Sequence, residues 1–409
     1  MKNRILGSAL IIAGTAIGAG MLAMPLTSAG MGFGATIFLL VVLWGLLTYT
    51  GLLFMEVYQT APRIDAGVAS LAEQYFGAIG RIVTTLSLLI LLYALLAAYI
   101  TGGGSLLAGI LPDIHLGGVL ITKHIAILLF TLILGSFVIF GIRGVDGLTR
   151  LLFLGKIIAF VILLAMMLPH AKVENLLILP TDHYLILSAV PIFFTAFGFH
   201  VIMASINTYL QADIRKIRKA VIIGALIPLV AYSLWQLATH SVLSQQTFMA
   251  ILQKNPSPDG LVQATTQITE STVLGGIMRI FASLALITSF LGVAMGIFEG
   301  VGDLLKRFKL PANRKSLAPL TFIPPLIFAL FYPEGFAAAL AYAGLLFAFY
   351  GVILPVGLVW KARQQHPNLP YRVAGGNIAL AITFLAGILI ILIPFLIKWG
   401  VLPKIIFTG

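Results

Sequence analysis

Eleven long apolar stretches fill most of this chain of 409 residues and constrain its fold more than any other feature. Each is long enough to cross a bilayer, which takes about 20 residues in a helix. With 60% hydrophobic and 9% charged residues, a soluble core could not bury this much apolar surface. The sequence therefore predicts an all-α membrane protein with eleven transmembrane helices in a single domain, 1–409. We place the spans at 5–29, 33–59, 82–111, 123–141, 148–168, 184–208, 219–243, 272–300, 317–333, 335–360 and 376–400.

The first and sixth stretches are interrupted by glycine, where a spanning helix would be expected to be regular. Residues 13–21 read AGTAIGAGM, and residues 193–200 read FFTAFGFH. Breaks at matching places in two halves of a membrane protein indicate a substrate site near mid-membrane. They favour a five-plus-five inverted repeat with one extra helix. The expected bounds are about 5–168 for repeat one, about 184–360 for repeat two and about 376–400 for the extra helix.

The basic residues, which give the chain a net charge of +12, are unevenly distributed between the loops. With the N-terminus inside, most Lys and Arg residues fall on the cytoplasmic side, as the positive-inside rule predicts. We therefore expect a cytoplasmic N-terminus and a C-terminus on the far side of the membrane. Lys2 and Arg4 also resemble the start of a signal peptide, but removing the first span would destroy the paired breaks. This asymmetry accounts for the net positive charge of a protein surrounded by membrane lipid, so we expect no nucleic-acid partner.

The two breaks themselves are candidate binding elements. An unpaired backbone amide or carbonyl is costly in hydrocarbon, so an unwound segment persists only beside a cavity or a bound polar ligand. Amides around 18–20 can bind a carboxylate, and carbonyls near 14, 15 and 195 can bind an ammonium, which suits an amino acid. Alternatively, the small residues only allow close helix packing. The candidate residues are Gly14, Thr15, Ala16, Gly18, Ala19, Gly20, Thr195 and Gly198.

Four polar side chains deep in the predicted spans are candidates for chemistry. Lys156 lies roughly 12 Å along the fifth helix at about 1.5 Å per residue. At this depth an ionisable group is a functional candidate that can exchange a proton. Alternatively, its side chain snorkels to the cytoplasmic surface. Thr288 and Ser289 can hold an ammonium or sodium ion, or bond back to their own helix. His200 can bind substrate or relay a proton, or make a structural bond to a neighbouring helix.

Aromatic residues at plausible depths are candidates for contact with an aromatic substrate side chain. The chain has 27 phenylalanines, so most of them must face lipid or pack in the core. The candidates are Tyr93, Tyr99, Phe194, Phe197 and Phe290.

The sequence contains no recognisable catalytic constellation. It has no metal-spaced His/Glu cluster, no G-x-S-x-G motif and no phosphate-binding loop, and it lacks cysteine. We therefore expect no enzymatic activity, no cofactor and no metal site. A channel is the main alternative to a transporter, but it would need polar or charged rings along a continuous path. The interrupted helices favour a transporter.

Three segments together carry a resemblance to a known family. Residues 14–25 (GTAIGAGMLAMP), 197–200 (FGFH) and 288–293 (TSFLGV) resemble the bacterial hydroxy and aromatic amino acid permeases, and the likeness covers essentially the whole chain. It implies an inner-membrane protein of the leucine-transporter-type fold, with its C-terminus in the periplasm, that imports tyrosine with protons. It also implies that Lys156 takes the place of sodium beside Thr288 and Ser289. Tryptophan or phenylalanine as substrate, and sodium coupling, remain open alternatives.

Overall fold

The computed structural model describes residues 4–117, 119–140 and 145–405, and this part of the chain is almost entirely helical. A two-stranded antiparallel hairpin, β1 (His115–Leu116) and β2 (Val119–Leu120), lies between the fourth and fifth helices. The helices are α1 (Arg4–Ala16), α2 (Gly20–Ser28), α3 (Phe33–Tyr58), α4 (Val68–Ala108), α5 (Thr122–Phe140), α6 (Val145–Met167), α7 (Val173–Leu176), α8 (Leu185–Ala196), α9 (Met203–Tyr209), α10 (Ile214–Val242), α11 (Gln245–Lys254), α12 (Pro258–Thr269), α13 (Thr272–Arg307), α14 (Arg314–Phe331), α15 (Phe336–Ala348), α16 (Leu354–Gln365) and α17 (Gly376–Lys398).

The first predicted span consists of two helices. α1 ends at Ala16, α2 begins at Gly20, and the two are bent by 53°. The N–H of Ile17 still donates to the carbonyl of Ala13 at 2.8 Å, so the hydrogen-bond ladder of α1 stops at this residue. The peptide groups that follow lie outside both helices and must find other partners.

The sixth predicted span is broken as well. α8 ends at Ala196, residues 197–199 are not helical, and a short 3₁₀ helix at His200–Ile202 leads into α9. The N–H groups of Phe197 and Gly198 fold back onto the carbonyls of Phe194 and Thr195. This tight turn closes the end of α8 before the 3₁₀ helix and α9 continue the span to Tyr209.

The described helices include fewer candidate membrane crossings than the eleven that the sequence predicts. Within the described ranges, nine helices are long and apolar enough to cross a membrane, or ten when α1 and α2 are taken as one bent span. The predicted span 317–333 corresponds to α14, which is not among these ten. α14 begins with two basic residues and contains three prolines, which reduce its hydropathy. Eleven crossings therefore stays a prediction.

Some boundaries differ from those expected. α4 begins at Val68, well before the predicted start at 82, because a polar amphipathic stretch precedes its apolar part. A kink at Gly77, whose φ of +66° suits glycine, separates the two parts. α13 continues to Arg307 beyond the expected 300. The connection between α10 and α13 contains the shorter helices α11 and α12.

The helices pack in matching sets. The third span, α4, packs against the tenth, α15, and correspondingly the eighth span, α13, packs against the fifth, α6. The second span, α3, packs against the seventh, α10, and the two broken spans meet where α2 contacts α8. An inverted repeat that equates each span with the one five places later would produce these pairs. The exact repeat bounds remain a prediction.

Candidate substrate site at the two broken helices

A cavity of about 750 Å³ lies against both breaks. It extends from them towards the side of the membrane where α1 begins, which we call the Arg4 face. Its wall contains backbone from both breaks together with side chains of α4, α6, α13 and α15. It is lined by Leu10, Ile11, Gly14, Thr15, Ala16, Ile17, Gly18, Gly20, Leu88, Leu91, Leu92, Leu95, Tyr99, Phe153, Lys156, Thr195, Ala196, Gly198, Val201, Ile202, Thr288, Ser289, Gly292, Val293, Gly296, Glu299, Leu340 and Phe347.

The opposite face of the membrane is closed above the cavity. Every residue of α2 is buried. The indole N–H of Trp235 on α10 donates to the carbonyl of Met21 at 3.0 Å. Further out, the hydroxyl of Ser28 lies 3.1 Å from the side-chain oxygen of Gln236 and 3.0 Å from Nε2 of His240. In the described part of the chain, α2 is thus packed and hydrogen-bonded against α10 on the side of the breaks opposite the Arg4 face.

Two side chains hydrogen-bond to the backbone of the first break. The amine of Lys156 on α6 donates to the carbonyl of Ile17 at 2.7 Å. The hydroxyl of Ser289 on α13 accepts from the N–H of Ala19 at 3.0 Å. These contacts compensate a carbonyl and an amide that the bend has removed from helical hydrogen bonding. The break is therefore held by the helices on either side of it.

Lys156 is buried in the cavity wall, with 2% of its surface exposed. Its amine lies 4.5 Å from the ring centre of Phe153, one turn earlier on the same helix. Among the described residues, no carboxylate forms an ion pair with it. The amine is therefore stabilised by a backbone carbonyl and an aromatic face, with no fixed negative charge beside it.

Other peptide groups of the first break lack such partners. In the described part of the chain, the N–H of Gly18 has no hydrogen-bond acceptor, and no donor reaches the carbonyls of Gly14 and Thr15. All three residues line the cavity. An amide at the start of α2 and two carbonyls at the end of α1 are thus available to a ligand. The amide lies at the positive end of one helix dipole, and the carbonyls lie at the negative end of the other.

Two glycines of the first break lie close to neighbouring segments. A Cβ atom added to Gly20 would lie 3.1 Å from Cα of Ala196 at the end of α8, and one added to Gly18 would lie 2.8 Å from the hydroxyl of Ser289. Both glycines therefore permit a close approach between neighbouring segments. At Gly18 and Gly20 the small residue thus permits close packing, as the alternative interpretation expected. Their part in substrate binding stays a prediction.

Comparison with known proteins identifies the family. Residues 1–394 match the tryptophan/tyrosine permease family. The chain belongs to this family. It is 62% identical to tyrosine-specific transport system 2 of Haemophilus influenzae, with 99% of each chain covered. It is 54% identical to tyrosine-specific transport system 1 of the same organism, covering 99% of this chain and 100% of that one, and 35% identical to its tryptophan-specific transport protein, covering 94% of both.

Solved structures show the fold of this permease. The manganese transporter of Eremococcus coleocola, crystallised with an aromatic bis-isothiourea substituted compound, superposes with a TM-score of 0.63 at 14% identity. The match covers 97% of this permease and 86% of that chain. The expected leucine-transporter-type helical fold is confirmed, as is the family inferred from the sequence. At this identity the likeness concerns the fold alone.

The permease brings many of the sequence-predicted residues together around the cavity. Ala19 stands just behind the lining and contributes its N–H to Ser289. Thr288 lines the cavity, but its hydroxyl donates to Leu284 of its own helix at 2.8 Å. The predicted residues in the cavity wall are Gly14, Thr15, Ala16, Gly18, Gly20, Tyr99, Lys156, Thr195, Gly198, Thr288 and Ser289.

His200 lies behind the wall of the permease cavity. It is fully buried, its Nε2 lies 2.8 Å from the hydroxyl of Thr50 on α3, and its ring stacks on Phe199. The ring of Phe347, which does line the cavity, stands edge-on at 5.3 Å. This arrangement corresponds to the structural alternative, a bond to a neighbouring helix, and keeps the imidazole away from the ligand space.

Several predicted aromatic residues also pack away from the cavity of the permease as the structure describes it. Phe194 contacts Phe347 at 4.9 Å, and Phe197 meets the ring of Tyr232 at 5.0 Å. Phe290 stacks on Phe322 of α14. The hydroxyl of Tyr93 donates to a carbonyl of α14 at 2.6 Å. These side chains support the wall from behind or join α4 and α13 to α14.

The structure adds residues that sequence reasoning did not single out. Phe153 and Phe347 form aromatic parts of the cavity wall, and Glu299 lies at its mouth near the Arg4 face. Tyr232 on α10 contacts both breaks from behind. The sequence showed only that these residues lie in predicted spans. In a helix rich in aromatic residues, the local pattern does not indicate which of them point into a cavity.

Proposed function

We propose that this permease imports tyrosine across the bacterial inner membrane by alternating access, in symport with protons. The observation that carries the proposal is the cavity at the two breaks, with free peptide groups and Lys156 in its wall. The two Haemophilus relatives named as tyrosine-specific transport systems support the substrate. The N-terminus is cytoplasmic and the C-terminus periplasmic, so the Arg4 face is cytoplasmic and the structure is inward-open. Membrane lipid surrounds the protein, and the cycle has no enzymatic step, cofactor or metal.

The substrate carboxylate binds at the start of α2. The free N–H of Gly18 and the positive end of this half-helix supply hydrogen bonding and charge of the correct sign. Ala19 keeps its own N–H on Ser289, which holds the segment in place for the ligand. Since these groups are backbone atoms, they recognise the part of the substrate that all amino acids share.

The substrate ammonium binds between the carbonyl-bearing ends of α1 and α8. The carbonyls of Gly14 and Thr15 lack donors among the described residues, and Thr195 and Gly198 lie on the same cavity wall. Two helix C-termini facing one space favour a cation there. The carboxylate and ammonium sites together position the α-carbon of the substrate in the gap between the breaks.

The substrate ring occupies the apolar part of the cavity. Tyr99, Phe153 and Phe347 provide aromatic surfaces, and leucines of α4 and α15 complete the wall. An aromatic side chain gains from both burial and ring contacts in such a pocket. The volume of about 750 Å³ exceeds that of one amino acid, as an inward-open cavity with a path to the cytoplasm requires.

The transported proton resides on Lys156. In its charged form the amine donates to Ile17 and stabilises the break that binds the substrate carboxylate. Loss of the proton to the cytoplasm through the open cavity weakens this contact and favours substrate release. Thr288 and Ser289 lie beside this position in the wall, where a sodium ion would be held in the alternative, sodium-coupled mechanism.

Purified protein in liposomes tests this function. We expect labelled tyrosine to accumulate when an inward proton gradient is imposed and to show counterflow without any gradient. A sodium gradient alone should have no effect, and unlabelled tyrosine should compete better than tryptophan or phenylalanine. Equal uptake with and without a proton gradient would refute proton coupling, and stronger competition by tryptophan would reassign the substrate. Uptake that does not saturate would indicate a pore.

A further inference from the structure

Tyr232 connects the two broken helices at a single point. Its hydroxyl lies 2.7 Å from the carbonyl oxygen of Ala16, the last residue of α1, and 2.7 Å from that of Ala196, the last residue of α8. The side chain is fully buried, and its ring packs against Phe197 in the second break. Ala16 and Ala196 both line the cavity, so the hydroxyl reaches the site from behind its wall.

The hydroxyl cannot fully satisfy both carbonyls. A tyrosine hydroxyl has one proton to donate, and both neighbours are acceptors. The two carbonyls therefore share one hydrogen bond, and each retains part of its capacity to accept another. A donor that enters the cavity and binds one of these carbonyls allows the tyrosine proton to move entirely to the other.

The Tyr232 hydroxyl also lies where two helix dipoles meet. α1 and α8 both end there, so the negative ends of two helix dipoles converge on one hydroxyl. Two such ends repel each other unless a proton donor or a cation lies between them. Since the phenol is neutral, it bridges the ends without cancelling the potential that attracts an ammonium.

We propose that Tyr232 is a positioning residue for the substrate ammonium. It holds the carbonyl ends of α1 and α8 in register when the site is empty, and it gives up one of them when the ammonium arrives. The proposal rests on the proposed function, because it requires an amino acid at the breaks. Through this residue, α10 couples binding of the ammonium directly to the relative position of the two broken helices.

Tyr232→Phe tests this role because it removes the hydroxyl and keeps the ring against Phe197. In the variant, water is expected to enter the space and donate to both carbonyls, so that the ammonium must displace it. Tyr58→Phe is the matched control. Tyr58 is likewise buried, but its hydroxyl has no hydrogen-bond partner in the described part of the structure.

Counterflow in liposomes gives the first readout. For Tyr232→Phe we expect the KM for tyrosine to rise about tenfold, the factor that one lost hydrogen bond of about 1.4 kcal/mol corresponds to. The maximal rate should change less than about twofold on the same scale. Tyr58→Phe should match the unsubstituted protein. An unchanged KM in Tyr232→Phe, or a loss of maximal rate with KM constant, would overturn the assignment.

Competition by 3-(4-hydroxyphenyl)propanoate, which is tyrosine without its amino group, gives the second readout. If Tyr232 acts on the ammonium, unlabelled tyrosine should inhibit uptake by Tyr232→Phe less strongly than uptake by the unsubstituted protein. The inhibition constant of the analogue should be the same for both proteins. Equal weakening of both ligands would mean that the hydroxyl only supports the fold, against the proposal. Failure of the unsubstituted protein to bind tyrosine would instead refute the proposed function, so the two failures are distinguishable.

Discussion

The amine of Lys156 on α6 donates a hydrogen bond of 2.7 Å to the carbonyl of Ile17, in the break of the first span. This contact joins a titratable group directly to the backbone of the proposed substrate site. An amine that loses its proton keeps two N–H donors but loses its charge, so the bond to the carbonyl weakens. Proton loss and a change in the break are thereby linked through one contact.

Lys156→Ala should therefore separate exchange from accumulation. Without the amine, the carbonyl of Ile17 has no fixed donor and no proton is carried. We expect gradient-driven accumulation of tyrosine to fall at least about tenfold, equivalent to about 1.4 kcal/mol of lost coupling, while counterflow persists. Lys254→Ala, at an exposed position of α11, is the control and should accumulate tyrosine normally. Intact accumulation in Lys156→Ala would exclude this residue as the coupling group.

Adjacent hydroxyls on α13 should behave differently from each other. Ser289 accepts from the N–H of Ala19, whereas Thr288 donates to carbonyls of its own helix. Ser289→Ala leaves a buried amide unpaired, which is expected to destabilise the protein by about 1–3 kcal/mol. Thr288→Val keeps the shape and should change stability by less than about 1 kcal/mol. Thermal unfolding in detergent measures both, and equal effects of the two substitutions would contradict this distinction.

The sequence predicted the breaks because their cause is local. Glycines at 14, 18 and 20 stand out in an apolar run, and the chemistry they permit is carried by backbone atoms at those same positions. Lys156 stood out because an amine has a high free energy in lipid, although the sequence left open whether its side chain snorkels to the cytoplasmic surface. These features need no knowledge of which helices are neighbours.

The remaining features depend on contacts between distant segments. Tyr232 acts on carbonyls of Ala16 and Ala196, and no pattern in α10 specifies such partners. Similarly, His200 adjoins a break in sequence but points to Thr50 on α3. The wall residue Phe347 is one of 27 phenylalanines, and only the packing of α15 distinguishes it. Proximity along the chain does not determine which side chains face a cavity.

Gly20→Ala should impair transport through steric contact between the breaks. The added methyl group would meet both Cα and Cβ of Ala196 at 3.1 Å, so α2 and α8 would have to move apart. Overpacking of this kind costs about 1–3 kcal/mol, and it falls on the segment that we propose binds substrate. We expect the KM for tyrosine to rise about fivefold or more, consistent with at least 1 kcal/mol.

Gly276→Ala is the matched control for that substitution. Gly276 lies within α13, and a Cβ atom there would meet nothing within 4 Å. Because alanine favours a helix over glycine by roughly 0.5–1 kcal/mol, this variant should be as stable as the parent or slightly more so. Its tyrosine KM should be unchanged. A similar rise of KM in both variants would show that the effect of Gly20→Ala is not specific to the contact between the breaks.

Glu56→Gln should destabilise the Arg4 face of the protein. The carboxylate of Glu56 on α3 is fully buried, and it accepts from Arg363 on α16 at 2.7 and 2.9 Å and from the N–H of Val373 at 2.7 Å. Neutralising the carboxylate leaves the partly buried guanidinium of Arg363 without its counter-charge, which costs up to about 3–5 kcal/mol. We expect a marked drop in the unfolding midpoint in detergent. Asp65→Asn, which breaks the exposed pair with Arg63, should cost less than about 1 kcal/mol. Comparable losses in both variants would mean that burial of the pair does not determine its contribution.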